Sequence, residues 1–258
     1  MYYPIQIPYI LNKEFSKHIN YSEETLDTYG GFIICFWEMQ PLSNLNLTVD
    51  NIIVADGCID LVVSFDEGLI GFAGMSKTIF DFKHKLPTRS FGIRMLPGAF
   101  HQLTGLPATV AMDTFLLIED IFPEFDCKSF FALSYELAKE YFRNFLTEKT
   151  RGKKPNEFTN LFHLLSENMP NTTTVLYQTL RFSPRQCQRL FIKHYGITPK
   201  MVLSIIRFQR CLEILTTCQA TPADILSATN YYDQPHLIND FKRNMGITPL
   251  ELIRIYRT

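Results

Sequence analysis

Residues 183–189, Ser-Pro-Arg-Gln-Cys-Gln-Arg, place two guanidinium groups and two amides within two turns of a helix. At helical spacing Arg185, Gln188 and Arg189 share one face, with Gln186 beside them. Arg pairs bidentately with guanine and Gln with adenine, so such a face can read base edges in a DNA major groove. Residues 233–239, Asp-Gln-Pro-His-Leu-Ile-Asn, offer a less charged version. Here Gln234, Pro235 and His236 lie near a helix start, Ile238 suits a thymine methyl, and Asn239 suits adenine. Lys193, Arg207, Arg210, Lys242 and Arg243 are placed to hold phosphates, which positions a protein on DNA without reading sequence.

The two runs belong to an internal repeat. Gly196-Ile-Thr-Pro199 recurs as Gly246-Ile-Thr-Pro249, 50 residues later. At that offset Phe191 matches Phe241, Lys193 matches Arg243, Ile205 matches Ile255 and Arg207 matches Arg257. Ser183 matches Asp233, and both are good helix N-caps. The first copy predicts a short helix over 173–180, a break at Arg181-Phe182, and a second helix opened by Ser183-Pro184 and closed by Gly196. Cys187, Leu190, Phe191 and His194 form its core stripe. The second copy predicts a helix from Thr221 to Thr229, a turn at Asn230-Tyr-Tyr232 and a helix over 233–244 with Leu237, Phe241 and Asn244 inward. A short helix, a tight turn and a capped second helix make a helix-turn-helix unit. Residues 200–217 are apolar almost all round, which predicts a buried helix spacing the two units for successive major grooves, about 34 Å apart.

Charge follows the same division. Residues 1–158 carry 14 Lys and Arg against 20 Asp and Glu, a net of −6; the remaining hundred carry 11 against 6, a net of +5. A basic C-terminal part suits a polyanionic partner. Residues 30–118 read as short strands, at 32–37, 51–54, 59–65 and 91–96, separated by turn residues, which suggests a sandwich or small barrel. Residues 127–149 turn helical, with Phe130, Phe131, Leu133, Leu137, Tyr141 and Phe145 in step, and offer either a dimerisation surface or simple packing. The expected organisation is α+β and multidomain. It comprises an N-terminal β domain with a helical segment over 1–150, a linker at 151–156, and an all-α domain with tandem helix-turn-helix units over 157–258.

The motifs 183–191 with 196–199, and 233–237 with 241–243 and 246–249, resemble the DNA-binding domain of the AraC/XylS family of bacterial transcription regulators. The resemblance covers about 157–258 and implies that Arg185, Gln188 and Arg189, then Gln234, Pro235, His236 and Asn239, occupy base-contacting positions. Pro235 and Asn239 depart from the usual small polar residue and Arg, Arg181 and Asn230 from the usual turn glycine, and Asp240 from an apolar or small residue. Ala55-Asp-Gly-Cys-Ile-Asp-Leu61, Phe91-Gly-Ile-Arg-Met-Leu-Pro-Gly98 and residues 116–120 resemble, less specifically, the cupin-like barrel that precedes this module in some members. That implies an effector-sensing or dimerisation role.

Other chemistry finds little support. The chain has no P-loop, GxGxxG, HExxH or GxSxG motif, and no pair of His-containing motifs for a cupin metal, so no cofactor and no metal are expected. His84 and His101 stand alone. The scattered cysteines fit buried thiols, Cys58 among them, and Phe36 and Trp37 fit core more readily than a pocket. No membrane span or signal peptide is legible, so a cytoplasmic protein is expected. The leading reading is a non-enzymatic, sequence-specific regulator of transcription binding double-stranded DNA. RNA polymerase, a small-molecule effector and a second copy are its open partners. The alternatives are a regulator whose N-terminal half serves interaction or oligomerisation without a ligand, and a cupin-type enzyme with a helical targeting arm.

Overall fold

The computed structural model describes residues 2–6, 13–25, 29–74, 80–217, 222–229 and 231–257. After a short helix α1 (Lys13–His18), eight strands follow: β1 (Ile19–Thr25), β2 (Ile33–Pro41), β3 (Thr48–Ile53), β4 (Ile59–Ser64), β5 (Leu69–Ala73), β6 (Phe80–Lys85), β7 (Ser90–Met95) and β8 (Phe115–Leu117). They form an antiparallel six-stranded sheet ordered β1-β2-β7-β4-β5-β8 and a separate pair β3-β6. Among the described residues the ladder stays open at β1 and β8. The expected barrel therefore takes the form of a large sheet with a two-stranded partner. Four of these strands match the expected runs. The polar β1 escapes a search for apolar alternation, because it lies at a sheet edge and alternates only weakly between buried and exposed.

Sheet register assembles a buried charge cluster. Asp60 on β4 lies directly opposite Arg94 on β7, and Cys35 on β2 faces Arg94 from the other side. The Arg94 side chain is 7% exposed. It donates to Glu23 Oε1 at 2.9 Å and lies 3.7 Å from both Asp56 Oδ2 and Asp60 Oδ1. Trp37 Nε1 donates to Asp60 Oδ2 at 3.0 Å, and Gln6 Nε2 donates to Asp56 Oδ2 at 2.7 Å. Burial pushes the Cys58 thiol well up, with Asp56 adding to it, which leaves it a core thiol rather than a nucleophile. Phe36 and Trp37 are core residues, each 4% exposed.

Asp60 is pushed up to about 7 by burial and by the charges of Asp56 and Glu23, against the opposing pull of Arg94. For an acid raised in the folded state, stability is full below its unfolded value near 4 and declines as pH rises through about 7. Glu23, held low mainly by Arg94 and by hydrogen bonds from Tyr21 and Tyr3 despite burial, has the opposite sign, as do the depressed histidines His84 and His194. Asp60→Asn keeps an acceptor for Trp37. Its stability relative to the wild type is expected to improve between pH 4 and 7 and to level off above. A pH-independent difference in urea midpoints would refute this.

The helical segment divides. Helix α2 (Ala99–Thr104) follows β7, and a single turn, α3 (Ile118–Ile121), follows β8. The predicted helix over 127–149 is two helices, α4 (Cys127–Phe131) and α5 (Tyr135–Thr150), capped by Asp126 and Ser134. The break rotates the buried stripe of α5 to Tyr135, Ala138, Phe142 and Leu146, leaving Leu137 and Tyr141 partly in solvent. The charged segment before the C-terminal module is pinned. Gln102 donates to Lys154 O at 2.7 Å and accepts from Asn156 N at 2.8 Å, and Asn156 then caps the next helix.

That module comprises α6 (Glu157–Glu167), α7 (Thr173–Leu180), α8 (Pro184–Tyr195), α9 (Pro199–Thr217), α10 (Pro222–Thr229), α11 (Gln234–Met245) and α12 (Pro249–Arg257). The predicted helices over 173–180, 183–194, 200–217 and 233–244 are all present. Asn230, Thr221 and Cys218 lie outside the described residues. The helices divide between two cores. One runs continuously from the β domain through α6–α8 to Ile206, and the other joins the far end of α9 to α10–α12 with Val54 of the β domain.

Candidate nucleic-acid interface

Local sequence sets the first recognition helix. Thr172 caps α7, which ends on Arg181 at φ 56°, a left-handed conformation uncommon for a residue with a Cβ. Ser183 then caps α8: its hydroxyl accepts from Gln186 N, while Gln186 Oε1 accepts from Ser183 N at 3.1 Å. Gln186 is therefore committed through its oxygen to the cap. Pro184 takes the first helical position and Gly196, at φ 74°, closes the helix. Cys187, Phe191, His194 and Tyr195 are buried, whereas Arg185, Gln188, Arg189 and Lys193 are exposed. The expected stripe holds at Cys187, Phe191 and His194, while Leu190 is half-buried and Tyr195 joins the buried face.

The back of α8 rests on the β domain. His194 stacks on Phe158, with ring centroids 4.0 Å apart, and meets His101 of α2 edge-on at 4.6 Å. Burial, with smaller contributions from His101 and Lys193, lowers His194 to about 4, so this contact joins an uncharged ring to the β domain near neutral pH. A side chain at Gly196 would strike Met112.

The second recognition helix, α11, is capped by Asp233, whose carboxylate accepts from His236 N at 2.8 Å, and is closed by Gly246 at φ 70°. Leu237, Phe241, Asn244 and Met245 are buried. Gln234, Pro235, His236, Asn239, Lys242 and Arg243 are exposed, and Ile238 is half-buried. The structure thus exposes Arg185, Gln188 and Arg189 together on α8 and Gln234, Pro235, His236 and Asn239 on α11, while Gln186 is engaged in the α8 cap and Ile238 is half-buried.

Asp240, an unexpected acid at a core position, has a complete set of partners. It is 3% exposed and accepts from Tyr231 Oη at 2.6 Å, Asn244 Nδ2 at 3.3 Å and Ser204 Oγ of α9 at 3.4 Å, with Arg243 Nη1 at 3.7 Å. Arg207 lies over the Tyr231 ring, 5.3 Å from its centroid. Its Nε is buried without a hydrogen-bond partner. Arg207 is half-buried, whereas Arg210 is exposed. Sequence reasoning missed this network. Its signal was the polar residue at position 240, which can be buried only with such partners.

Two families match the chain: "Helix-turn-helix domain" over residues 176–255 and "Domain of unknown function (DUF6597)" over residues 30–116. No curated protein matches it. Among solved structures, the C-terminal domain of the response regulator yesN from Fusobacterium nucleatum is 22% identical, with 38% of this chain and 99% of that chain covered and a TM-score of 0.36. ToxT from Vibrio cholerae is 11% identical, with 92% of this chain and 98% of that chain covered and a TM-score of 0.40. Two capped helices with exposed polar faces on a shared scaffold and the helix-turn-helix family match lead to one conclusion: the chain is a DNA-binding transcription regulator with an AraC-type helix-turn-helix domain at its C-terminal end.

Proposed function

We propose that α8 and α11 read adjacent major-groove segments of one duplex, with residues 1–150 as the regulatory domain, 151–156 as its connection and 157–258 as the reading module. The observation that carries this is the pair of free faces, Arg185, Gln188 and Arg189 on α8 and Gln234, Pro235, His236, Ile238 and Asn239 on α11, on helices whose opposite faces are buried. Lys193, Arg207, Arg210, Lys242 and Arg243 hold phosphates, Arg207 sharing its guanidinium with Tyr231. Regulation passes through packing rather than through a loose tether. His101 touches α8, and Gln209 of α9 donates to Ala55 O at 3.1 Å and accepts from Ile5 N at 2.7 Å. A small-molecule effector, a second copy or RNA polymerase acting on the β domain would reach the reading helices by these contacts. The protein works in the cytoplasm in this reading; among the described residues no helix is long and apolar enough to cross a membrane.

The test is a fluorescence-anisotropy titration of the full chain against DNA from its own upstream region, with scrambled competitor and varied salt. Competitor-resistant binding that weakens steeply with salt is expected. No binding even at low salt would overturn the reading. Lys242→Ala and Arg207→Ala should each weaken binding to specific and scrambled DNA alike and lower the log–log salt slope by about 0.9. Arg207→Ala should also lower the thermal midpoint, because it uncovers Tyr231. An unchanged slope would remove that residue from the phosphate contacts.

A further inference from the structure

The two reading faces differ in chemistry, and the difference is systematic. At the 50-residue offset Arg185 is replaced by Pro235, Gln188 by Ile238, Arg189 by Asn239 and Lys200 by Leu250. Each of these changes removes a charge or a polar group, while Pro184 gives way to Gln234 and Gln186 to His236. Leu250, at the start of α12, is 52% exposed. Between α11 and α12 lies a cleft of about 100 Å3, lined by Gln234, Leu237, Ile238, Thr248, Pro249 and Leu250. Its lip is held firmly: Glu251 Oε2 accepts from both Thr248 N and Thr248 Oγ1 at 2.7 Å, and Thr248 Oγ1 accepts from Glu251 N at 3.2 Å. The cleft therefore opens beside the reading positions Gln234 and Ile238.

The polar readers left on this face are the amides Gln234 and Asn239, with the imidazole of His236 beside them. Amides pair bidentately with adenine, whereas guanine calls for Arg or Lys. Adenine's partner carries a C5-methyl group in the same groove, and apolar side chains are what recognise it. An apolar cleft flanked by two amides thus complements both bases of an A·T pair. The exposed cations Lys242 and Arg243 on the same helix match an anionic backbone and favour DNA over a protein as the occupant. Resting on the reading that α11 enters the major groove, we propose that the two units read chemically different half-sites. Unit one takes a guanine-containing segment through Arg185 and Arg189. Unit two takes an A·T-rich segment whose thymine methyls seat in the α11–α12 cleft against Ile238 and Leu250.

The full-length protein is used to select its preferred duplex from a random pool. Each half-site is then rebuilt with deoxyuridine for thymidine, which deletes only the 5-methyl, or with 7-deazaguanine for guanine, which deletes only the N7 acceptor. Deoxyuridine in the second half-site should weaken binding about four-fold for each methyl seated, while in the first half-site it should have little effect. Deazaguanine should show the reverse pattern. Leu250→Ala, at an exposed position, should bring the thymidine-to-deoxyuridine affinity ratio toward one. Leu250→Lys should do the same while steepening the salt slope. Equal affinity for both duplexes despite a well-defined selected sequence, or a ratio unmoved by either Leu250 variant, would overturn the proposal and leave the DNA-reading function standing. A pool that yields no preferred sequence would overturn the reading on which it rests.

Discussion

Arg94→Met is expected to destabilise the folded chain by about 3–5 kcal/mol, the largest effect of any single substitution argued for this protein. The reason is an imbalance rather than a lost contact. Three carboxylates, from Glu23, Asp56 and Asp60, converge on one guanidinium that is 7% exposed along its side chain. Replacing a whole buried ion cluster with apolar groups can be neutral, but removing one partner strands the others. Here the stranded groups are acids, and burial, with a further contribution from Asp56 and Glu23, already pushes Asp60 up to about 7 even with Arg94 in place. Methionine approximates the volume of the arginine stem and so leaves packing least disturbed. Arg94→Lys keeps the charge but loses the fork that spans β1, β4 and the Asp56 turn, and it should fall between the two. The single tryptophan, Trp37, donates to Asp60, so its fluorescence in a urea titration reports directly on the cluster. A loss below about 1 kcal/mol for Arg94→Met would mean that the carboxylates escape to water or to protons more readily than their burial implies. Because the first core runs unbroken from this sheet into α8, the unfolding seen by Trp37 should coincide with loss of helix signal from the reading module.

What was legible in the sequence divides by the range of the signal. Caps, prolines at first helical positions and closing glycines act within one turn, so the helices over 183–194 and 233–244 read directly from Ser183-Pro184, Gly196, Asp233 and Gly246. The exposed face of α8, and its buried face apart from Leu190 and Tyr195, followed from the 3.6-residue period alone. The same arithmetic failed on α5, because Ser134 starts a new helix and shifts the phase of everything after it. Strand β1 failed for a different reason: an edge strand needs no apolar alternation. The Arg94 cluster was half visible. Asp56, Asp60 and Arg94 stand in the motifs 55–61 and 91–98, but only the pairing of β4 with β7 sets Asp60 opposite Arg94. Asp240 is anomalous in the sequence itself, yet its partners Tyr231 and Ser204 lie 9 and 36 residues away and converge only through the docking of α11 on α9. The grip of Gln102 on the segment before α6 was invisible for the same reason.

Arg189→Ala should cost roughly 1–3 kcal/mol in specific binding and should erase preference at one base position of the first half-site, leaving the others intact. Position and rigidity make the effect large. Arg189 lies on the exposed face of a helix fixed at its start by the Ser183–Gln186 box, at its end by Gly196, and along its back by Phe191, His194 and Tyr195. A side chain on so firmly seated a helix loses little to reorientation of the backbone when it meets a base, so most of a bidentate pair's strength survives as discrimination. Arg189→Lys separates reading from attraction: it keeps the positive charge, and so the affinity for scrambled DNA and the salt slope, while losing the planar fork that matches guanine. Affinities for duplexes carrying each of the four bases at every position of the half-site provide the measurement. Wild-type discrimination at all positions in the alanine variant would remove Arg189 from the reading set. Equal weakening on every sequence would reassign it to the phosphates. Loss confined to one position, shared by the lysine variant, is the result that a guanine-reading arginine requires, because only the fork, and not the charge, distinguishes the two side chains.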